Sequence, residues 1–375
     1  MTILITGGAG FIGTHLTRLA LAAGYKVRIL DNLSPQIHGQ RARFEPPADV
    51  EFIHGDVNVR RDLERALHGI DSIVHLAAET GTGQSMYQID RYYHVNVQGT
   101  ALLFDVLAND TYNISNFILA SSRSVYGEGA YICFSCDPAG ARRFPSARKP
   151  QQLASQLWTS PCPKCGGSIE PTATREDDPV APASIYAATK LAQEELVRVG
   201  CSALEIPHAI LRFQNVYGEG QSLRNPYTGI LSIFSTRIRL GQSLPIFEDG
   251  EESRDFVHVE DVATAVLRCV QQPNFEVGTL NVGSGHGATI MSVARLLQHG
   301  MGTTIEPHVT GAYRIGDIRH NFADISLLES VTSFRPAIPL QAGLKRFTEW
   351  VYTQPIPEDL LDQANAELKA RNLMA

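Results

Sequence analysis

The first thirteen residues, MTILITGGAGFIG, constrain the fold more than any other part of the chain. Thr2 to Thr6 is a short apolar β run, and Gly7, Gly10 and Gly13 follow at GxxGxxG spacing where a helix is predicted to begin. The first glycine allows a tight turn, the second lets the backbone approach a diphosphate, and the third lets the helix pack against the sheet. The run therefore predicts the first strand-turn-helix unit of a dinucleotide-binding sheet.

The residues after these glycines supply two further parts of the same binding unit. Phe11 and Ile12 open the helix, so their free N–H groups are expected to face phosphate oxygens. Asp31 ends the next apolar run, KVRILD, 18 residues beyond Gly13, where a carboxylate can accept hydrogen bonds from an adenosine ribose. An acidic group there repels a 2′-phosphate, so NAD is favoured over NADP. The alternative is a glycine turn in some other α/β protein.

Length and composition exclude several classes of partner. With 375 residues, 43% of them hydrophobic, the chain can bury a large core and form two domains that share a cleft. A net charge of −7 gives no reason to expect nucleic acid or an anionic membrane as a partner. No apolar run approaches the ~18 residues of a membrane span. We therefore expect a cytoplasmic protein whose six cysteines are thiols or metal ligands rather than a disulfide framework.

Strand ends further along the first half of the chain are expected to extend the dinucleotide site. Loops at the carboxyl ends of parallel strands hold the ligand in such sheets. The alternative for the small residues among them is close packing, and for Asn96 it is a clamp on the backbone. The predicted cofactor contacts beyond the glycine unit are Asn32, Asp56, Val57, Leu76, Ala77, Ala78, Asn96 and Phe213, and Glu79 and Thr80 are assigned to the substrate.

A tyrosine and a lysine at helical spacing form the predicted catalytic pair. Tyr186 and Lys190 lie at i and i+4 in SIYAATKLAQEELVRV, so both side chains share one face of the predicted helix. A nearby fixed cation favours phenolate and lowers the pKa of a tyrosine toward the working range of a general base. The alternative is a surface tyrosine and lysine on an ordinary helix.

Together with these features, ten runs of sequence resemble the extended short-chain dehydrogenase/reductase family, in particular its nucleotide-sugar epimerases and dehydratases. The runs cover nearly everything except one insert, and they are GGAGFIG, DNLS, HLAAET, NVQGT, SVYGEG, YAATK, LRFQNVYG, RDFVHVEDVA, NVGSG and RIGDIRH. The resemblance implies that Tyr186 is the catalytic base, that Lys190 holds the nicotinamide ribose, and that Ser122 bonds the sugar hydroxyl being oxidised. It also implies a homodimer. The further substrate contacts that it implies are Arg123, Asn215, Arg254 and Arg314.

The run SRSVYG, which begins at Ser122, narrows the expected reaction. Dehydratases of this family resemble TDEVYG here, with the Asp and Glu as acid and base. Arg123 and Ser124 offer no carboxyl pair, so 4,6-dehydration is disfavoured. What remains is reversible hydride transfer at C4 of a nucleotide-diphosphate sugar, an isomerase reaction that consumes no net NAD. The combination of the runs AETGTGQSMY and SSRSVYGEG with an insert that holds two CxxC motifs looks most like family members that interconvert dTDP-L-rhamnose and dTDP-6-deoxy-L-talose.

Three alternative functions stay open at this point. The substrate is instead a UDP-hexose or a UDP-uronate, or the enzyme is a reductase of a nucleotide 4-keto sugar. A more remote alternative is a non-catalytic NAD-binding scaffold or sensor. The intact set of Ser122, Tyr186 and Lys190 argues against the last of these.

An insert between the predicted catalytic serine and tyrosine holds two CxxC motifs. Cys133 and Cys136 form one, and Cys162 and Cys165 form the other, with 25 residues between them. In zinc ribbons two such motifs supply four thiolates in a tetrahedron, and a metal would order a polar segment that lacks a core. Structural zinc is the preferred interpretation, with two disulfides or free thiols as the alternatives.

The predicted architecture is α/β, with a Rossmann-type doubly wound parallel sheet, a smaller mixed α/β substrate lobe and a cysteine-rich, zinc-ribbon-like insert. We expect residues 1–129 and 175–220 to form the NAD-binding domain and residues 130–174 to form the insert. Residues 221–375 are expected to lie mainly in the substrate lobe, with residues 254–285 returning to the large sheet.

Overall fold

The computed structural model describes residues 1–39, 44–225, 229–272 and 278–375. The strands are β1 Thr2–Thr6, β2 Lys26–Asp31, β3 Val50–His54, β4 Ser72–His75, β5 Asn116–Ser122, β6 Ala130–Cys133, β7 Ala141–Arg143, β8 Glu170–Thr172, β9 His208–Phe213, β10 Asn215–Tyr217, β11 Leu244–Ile246, β12 Ser253–His258, β13 Gly278–Val282, β14 Gly287–Thr289, β15 Pro307–Val309 and β16 His320–Asn321. The helices are α1 Phe11–Ala22, α2 Pro35–His38, α3 Arg60–Leu67, α4 Thr82–Ser85, α5 Ile89–Tyr92, α6 Gly99–Asn109, α7 Pro150–Ala154, α8 Ile185–Ala203, α9 Ile230–Arg239, α10 Val259–Val270, α11 Ile290–Gly300, α12 Ser326–Thr332, α13 Leu340–Thr353 and α14 Leu361–Lys369. A π-helical turn at Tyr93–Gln98 and a 3₁₀ turn at Arg123–Tyr126 complete the helical segments of these ranges. Within them, no helix combines the length and the apolar character needed to cross a membrane.

The large sheet is parallel, and in the described chain its order is β13-β9-β5-β4-β1-β2-β3. Alternate residues of β1 point into two separate apolar clusters, with Ile3 and Ile5 in one and Leu4 in the other. Helices α1 and α10 contribute to the first cluster, and α3, α6 and α8 contribute to the second. Because helices cover both faces, the central strands are almost continuously apolar. The predicted doubly wound α/β sheet is confirmed.

A smaller lobe lies beyond the carboxyl ends of this sheet. Strands β10, β12 and β14 form its main sheet, β16 also pairs with β12, and β11 pairs with β15. Helices α9, α11 and α13 pack with these strands around Leu231, Phe234, Leu297 and Phe347. The lobe therefore has an apolar core of its own.

The structure differs from expectation within residues 254–285. Strand β13 pairs with β9 at the edge of the large sheet, but β12 pairs with β10, β14 and β16 in the smaller sheet. The whole of β12 is buried, including Arg254 and Asp255, whose side chains need polar partners. Asp255 accepts N–H bonds from Ser284 at 2.7 Å and Ala323 at 3.2 Å, both in the smaller lobe. An apolar position in the large sheet would not provide such partners.

The cysteine-rich insert folds as a three-stranded antiparallel sheet in the order β7-β6-β8, with α7 between β7 and β8. Its apolar cluster is small, since Tyr131, Cys133, Cys162 and Ile169 are its buried members. After β8 the chain pairs with the smaller lobe, where the Thr174 N–H donates to the Phe322 carbonyl at 2.8 Å. The carboxyl end of the insert is therefore joined to the smaller lobe.

Candidate active site

A cavity of about 650 Å³ opens at the carboxyl ends of the large sheet, where the strand order reverses between β1 and β4. Such a reversal is where open α/β sheets bind their ligands. The cofactor contacts expected from the sequence that line this cavity are Gly7, Gly10, Phe11, Ile12, Gly13, Asp31, Asn32, Val57, Leu76, Ala77, Ala78, Tyr186, Lys190 and Phe213.

The first turn of α1 presents backbone N–H groups to this cavity. Among the described residues, no side chain caps this helix start and no acidic residue lies in its first turn. Gly7 has φ +68°, and a Cβ there would lie 2.8 Å from the backbone nitrogen of Ala77. A Cβ on Gly13 would lie 2.6 Å from the Cα of Gly8, so α1 packs against the turn at a distance that only glycine permits. An uncapped helix start held this close to the strand ends fits the diphosphate of a dinucleotide.

Asp31 places a fixed carboxylate in the wall of the same cavity. Its Oδ2 accepts the Ala9 N–H at 3.1 Å, and its Oδ1 accepts the Leu33 N–H at 2.8 Å. Each oxygen keeps a second lone pair for a ribose hydroxyl. Asp56 accepts a hydrogen bond from the Asn32 amide at 2.8 Å and lies outside the cavity wall. Its contact with the cofactor stays a prediction.

A smaller cavity of about 250 Å³ adjoins the first. Arg123, Ser124 and Asn215 form a polar side, and Ile230, Leu231 and Phe256 contribute apolar surface. The residues that line both cavities are Thr80, Ser122, Tyr186, Gln214, Val216, Gln221 and Gly229. The expected catalytic serine and tyrosine therefore lie at the boundary between a large and a small binding space.

Two hydrogen bonds fix Tyr186 at the start of α8. The Ser184 hydroxyl caps the helix by accepting the Ala187 N–H at 3.2 Å, and the Tyr186 N–H donates to the Ser85 hydroxyl at 3.0 Å. Burial raises the pKa of the Tyr186 phenol, whereas a hydrogen bond from Ser122 and the charge of Arg123 lower it. A half-buried phenol with these two neighbours at the cavity wall has the geometry of a general base.

The Lys190 ammonium group bonds the end of β5 rather than the tyrosine. Its Nζ donates to the Ala120 carbonyl at 2.9 Å, and burial lowers its pKa to about 7, opposed by the charge of Glu194. The lowering of the Tyr186 pKa by Lys190 stays a prediction. The charge of Arg123 lowers this pKa.

Arg123 brings a guanidinium into the smaller cavity. Its Nε donates to the Asn215 Oδ1 at 2.9 Å, while its two terminal nitrogens have no hydrogen-bond partner within the described ranges. Burial and the like charge of Arg254 lower its pKa to about 9. A half-buried guanidinium with open donors in a cavity favours a ligand that is rich in acceptors.

Gln214 is a candidate ligand contact that the sequence reasoning missed. Its Nε2 and Oε1 are both buried with no partner in the part of the chain that the structure describes, and so is the Ser124 hydroxyl. Buried polar atoms are normally satisfied, so these atoms at the cavity walls fit groups that a ligand supplies. The signal in the sequence was the position of Gln214 between Phe213 and Asn215, two residues that were expected to bind ligands.

Asn96 acts as the clamp that the sequence left as an alternative. Its Oδ1 accepts the Glu79 N–H at 2.8 Å, and its Nδ2 donates to the Glu79 carbonyl at 3.1 Å and to the Thr189 hydroxyl at 3.0 Å. Asn96 thus joins the end of β4 to α8, and it lies outside the cavity walls. Glu79 and Thr80, which it positions, line the large cavity.

Arg254 and Arg314 lie outside the walls of both cavities. Arg254 donates to the Asp317 carboxylate at 3.0 Å and to three backbone carbonyls of the smaller lobe. The Arg314 guanidinium lies 4.7 Å from the centre of the Phe247 ring and donates to Asn365 at 3.0 Å. Their contacts with a diphosphate stay predictions.

The four insert cysteines form one cluster. All four Sγ atoms lie within 4.8 Å of one another, and the Cys133–Cys165 and Cys136–Cys162 pairs are each 3.6 Å apart. All four are free thiols, since a disulfide would bring two sulfurs to about 2.05 Å. A tetrahedral zinc site with bonds of about 2.3 Å has sulfur–sulfur edges of about 3.8 Å. The donor set and its spacing therefore fit a closed four-thiolate zinc site.

Comparisons with known proteins agree with this geometry. The model of the NAD dependent epimerase/dehydratase family matches residues 3–150 and 152–283. The dTDP-L-rhamnose 4-epimerase of Burkholderia thailandensis is 38% identical over 93% of this chain and 94% of its own length. The crystal structure of the UDP-glucose 4-epimerase of Thermotoga maritima with UDP-glucose has a TM-score of 0.76 at 26% identity, covering 94% of this chain and 99% of that one. That of the UDP-glucuronic acid 4-epimerase of Bacillus cereus, with UDP-glucuronic acid and NAD, has a TM-score of 0.75 at 25% identity, with the same coverage.

Proposed function

The chain belongs to the NAD-dependent epimerase/dehydratase family, and from this premise we propose that it is an isomerase that inverts C4 of a nucleotide-diphosphate sugar. The observation that carries the proposal is the position of Ser122 and Tyr186. Both line the large cavity, which fits a dinucleotide, and the small cavity, which fits a sugar. A redox cofactor and a sugar carbon would meet at that boundary.

In the proposed reaction, the residues of the chain move one proton and hold the reactants. Tyr186 accepts the proton of the C4 hydroxyl, and the Ser122 hydroxyl orients that oxygen. Bound NAD supplies the acceptor of the C4 hydride and later its donor. Arg123 favours the phenolate form of Tyr186 through its charge. Because proton and hydride both return to the sugar, the reaction consumes no net cofactor.

Inversion requires that the 4-keto sugar presents its opposite face before the hydride returns. The nucleotide must therefore be held firmly while the sugar turns. Gln214 and Asn215 supply amide donors at the wall of the smaller cavity. The open volume of the smaller cavity suits a sugar ring that rotates about its link to the diphosphate.

We further propose that the sugar is a 6-deoxyhexose and that the enzyme interconverts dTDP-L-rhamnose and dTDP-6-deoxy-L-talose. Ile230, Leu231 and Phe256 give the smaller cavity apolar surface that suits a C6 methyl group. The 38% identity to the Burkholderia thailandensis enzyme supports the same substrate.

A second candidate substrate is a UDP-uronate, and Arg123 is the observation that favours it. The open terminal nitrogens of this guanidinium would bind a carboxylate through paired hydrogen bonds. The structural similarity to the UDP-glucuronic acid 4-epimerase supports this candidate at lower identity.

The experiment that separates these candidates is a substrate panel read by NMR. Purified protein with NAD is incubated with dTDP-L-rhamnose, UDP-glucose and UDP-glucuronate, and the C4 configuration of each product is determined. We expect turnover of dTDP-L-rhamnose, with Tyr186→Phe losing nearly all activity while retaining NAD. Tyr352→Phe is the matched control, because this tyrosine is 53% exposed and lines neither of the two cavities. Full activity in Tyr186→Phe would remove the assigned base.

We also propose that the four insert cysteines hold one structural zinc ion. Elemental analysis of the purified protein should find one zinc per chain, and Cys136→Ser with Cys165→Ser should abolish it. Cys201→Ser is the control, because Cys201 is buried within α8 and outside the cluster. Zinc-free wild-type protein with an intact cluster would contradict the proposal.

A homodimer and a cytoplasmic location complete the proposed description. The segment that contains α5 and the π-helical turn, together with α8, exposes Ile89, Tyr93 and Val199, apolar side chains suited to a helix–helix interface. Light scattering should give twice the chain mass, and Val199→Glu should reduce it toward one chain.

A further inference from the structure

A single arginine of the insert is buried between two carboxylates that belong to different parts of the molecule. The Arg148 side chain is 1% exposed. Its Nε donates to Glu128 Oε1 at 3.0 Å, and its Nη1 donates to Glu248 Oε2 at 2.7 Å. Its Nη2 donates to the Asp317 carbonyl at 3.1 Å. Arg148 therefore joins the insert to three points outside it.

These three points belong to two parts of the molecule, the segment that follows the catalytic strand end and the smaller lobe. Glu128 follows the turn Arg123–Tyr126, which leads directly from the catalytic strand end. Glu248 follows β11 in the smaller lobe, and Asp317 binds Arg254 of β12 at 3.0 Å. A guanidinium that binds all three holds the strand end and the lobe in one relative position.

A second arginine strengthens the same contact from the lobe. The Arg319 N–H donates to Glu128 Oε2 at 2.7 Å, and its Nη1 donates to Glu248 Oε2 at 3.1 Å. Burial raises the pKa of Glu128, and the charge of Arg148 opposes that rise. Without Arg148, the buried carboxylates of Glu128 and Glu248 would have fewer cations to compensate their charge, and an uncompensated buried charge is unfavourable.

The cysteine cluster closes the loop that contains Arg148. Cys136 and Cys162 lie 3.6 Å apart at the two ends of a 25-residue segment, and Arg148 lies near its middle. The insert has too small an apolar core to fix that segment alone. Joining the ends of a loop reduces the conformational entropy that its residues lose on becoming ordered.

We propose that the metal-closed loop exists to hold Arg148 in place, and that Arg148 is the positioning residue that aligns the smaller lobe with the catalytic strand end. The inference rests on the proposed function and adds a role for the insert. The cysteine site thereby sets the affinity for the sugar nucleotide without touching it. Binding of NAD does not depend on this link, because the large cavity is lined by residues outside the insert.

The first test compares Arg148→Met with Lys149→Met. Lys149 is the exposed neighbour on the same loop and serves as the matched control. We expect Arg148→Met to keep its zinc and its NAD, to raise KM for dTDP-L-rhamnose roughly tenfold or more, and to change kcat by less than about threefold. Lys149→Met should match the wild type. Unchanged KM in Arg148→Met, or loss of NAD together with substrate binding, would overturn the proposal.

The second test removes the metal with a chelator from wild type and from Arg148→Met. If the metal acts through Arg148, removal should raise KM in the wild type about as much as the substitution does. It should then add little in the variant, because the two changes break the same link. If metal removal raised KM by the same factor in the variant as in the wild type, the two changes would act independently, and the coupling between the metal and Arg148 would be refuted. A normal KM in zinc-free wild type would refute it as well.

A third measurement does not need the proposed substrate. Hydrogen exchange in peptides covering residues 244–254 and 314–321 should speed up in Arg148→Met and in metal-free wild type, but not in Lys149→Met. If wild type turns over none of the sugar nucleotides, the proposed function fails while this readout still tests the link. Unchanged exchange in both would overturn the link itself.

Discussion

Alanine at Gly13 and alanine at Gly10 should separate packing from cofactor binding in the glycine-rich turn. A Cβ on Gly13 would lie 2.6 Å from both the Cα and the carbonyl oxygen of Gly8. Ordinary contacts begin near 3.4 Å, so α1 would have to move by about 0.8 Å against a rigid backbone. Such overpacking costs about 1–3 kcal/mol. Both the free energy of unfolding and the retention of NAD should fall in Gly13→Ala.

Gly10→Ala should behave differently, because the added Cβ would have a single neighbouring atom within 4 Å. Its backbone, with φ −76° and ψ −179°, suits alanine, and the nearest atom to the added Cβ is the Gly7 carbonyl oxygen at 3.2 Å. The methyl group would instead occupy the cavity at the start of α1. Loss of one charge-assisted N–H bond to a diphosphate costs about 1.5–3 kcal/mol, or roughly ten- to a hundredfold in affinity for NAD.

The assay combines denaturant unfolding with calorimetric titration of NAD into cofactor-free protein. The expected pattern is a loss of stability and affinity in Gly13→Ala, and a loss of affinity with nearly unchanged stability in Gly10→Ala. Gly24→Ala, at a glycine with open space and φ +83° in the loop after α1, controls for backbone strain alone. Wild-type affinity in Gly10→Ala would refute the assignment of this helix start to the diphosphate.

Three further predictions concern buried charges. Burial lowers the pKa of His75 to about 3, so between pH 6.5 and 3 the unfolded chain binds a proton here that the folded chain does not, and the free energy of unfolding falls as the pH falls. When unfolding is measured across this pH range, the fall in His75→Asn should be smaller than in wild type by up to about 5 kcal/mol. Glu194→Gln should lower the free energy of unfolding by about 3–5 kcal/mol, because it leaves Arg212 buried without its carboxylate. In the same denaturant assay, Glu195→Gln at the exposed neighbouring position should cost less than about 1 kcal/mol, and equal costs for the two variants would contradict the argument. Arg123→Met should raise the pKa of Tyr186 and so move the ascending limb of the kcat–pH profile to higher pH, and Arg123→Lys should largely return that limb to its wild-type position. An unchanged limb in Arg123→Met would show that the charge of Arg123 does not act on the base.

The parts of the site that depend on local sequence could be predicted. The turn from Gly7 to Gly13 and the face shared by Tyr186 and Lys190 follow from spacing alone, because each arises within one strand-turn-helix unit or one helix. The family followed from the same runs. The meeting of the two CxxC motifs was predictable for a similar reason, since each motif fixes two sulfurs locally.

The parts that depend on distant partners could not be predicted. Arg148 looked like one of several basic residues in a polar insert, and its burial depends on Glu248, a hundred positions further along the chain. The position of β12 likewise depends on partners of Asp255 that come from two later segments. The direction of the Tyr186 pKa shift followed burial, which spacing on a helix does not reveal.

The long-range bonds of α8 have a consequence for synthesis of the protein. Lys190 reaches back to the Ala120 carbonyl, and Asn96 bonds Thr189, so the wall that contains α8 forms only when this helix has left the ribosome. The cysteine-rich insert lies between β5 and α8 and lengthens that delay. A nascent chain shorter than about two hundred residues therefore has no complete pocket in which a dinucleotide could assist folding. Until then, the first half of the sheet must stay folded through its own packing, without help from a bound dinucleotide.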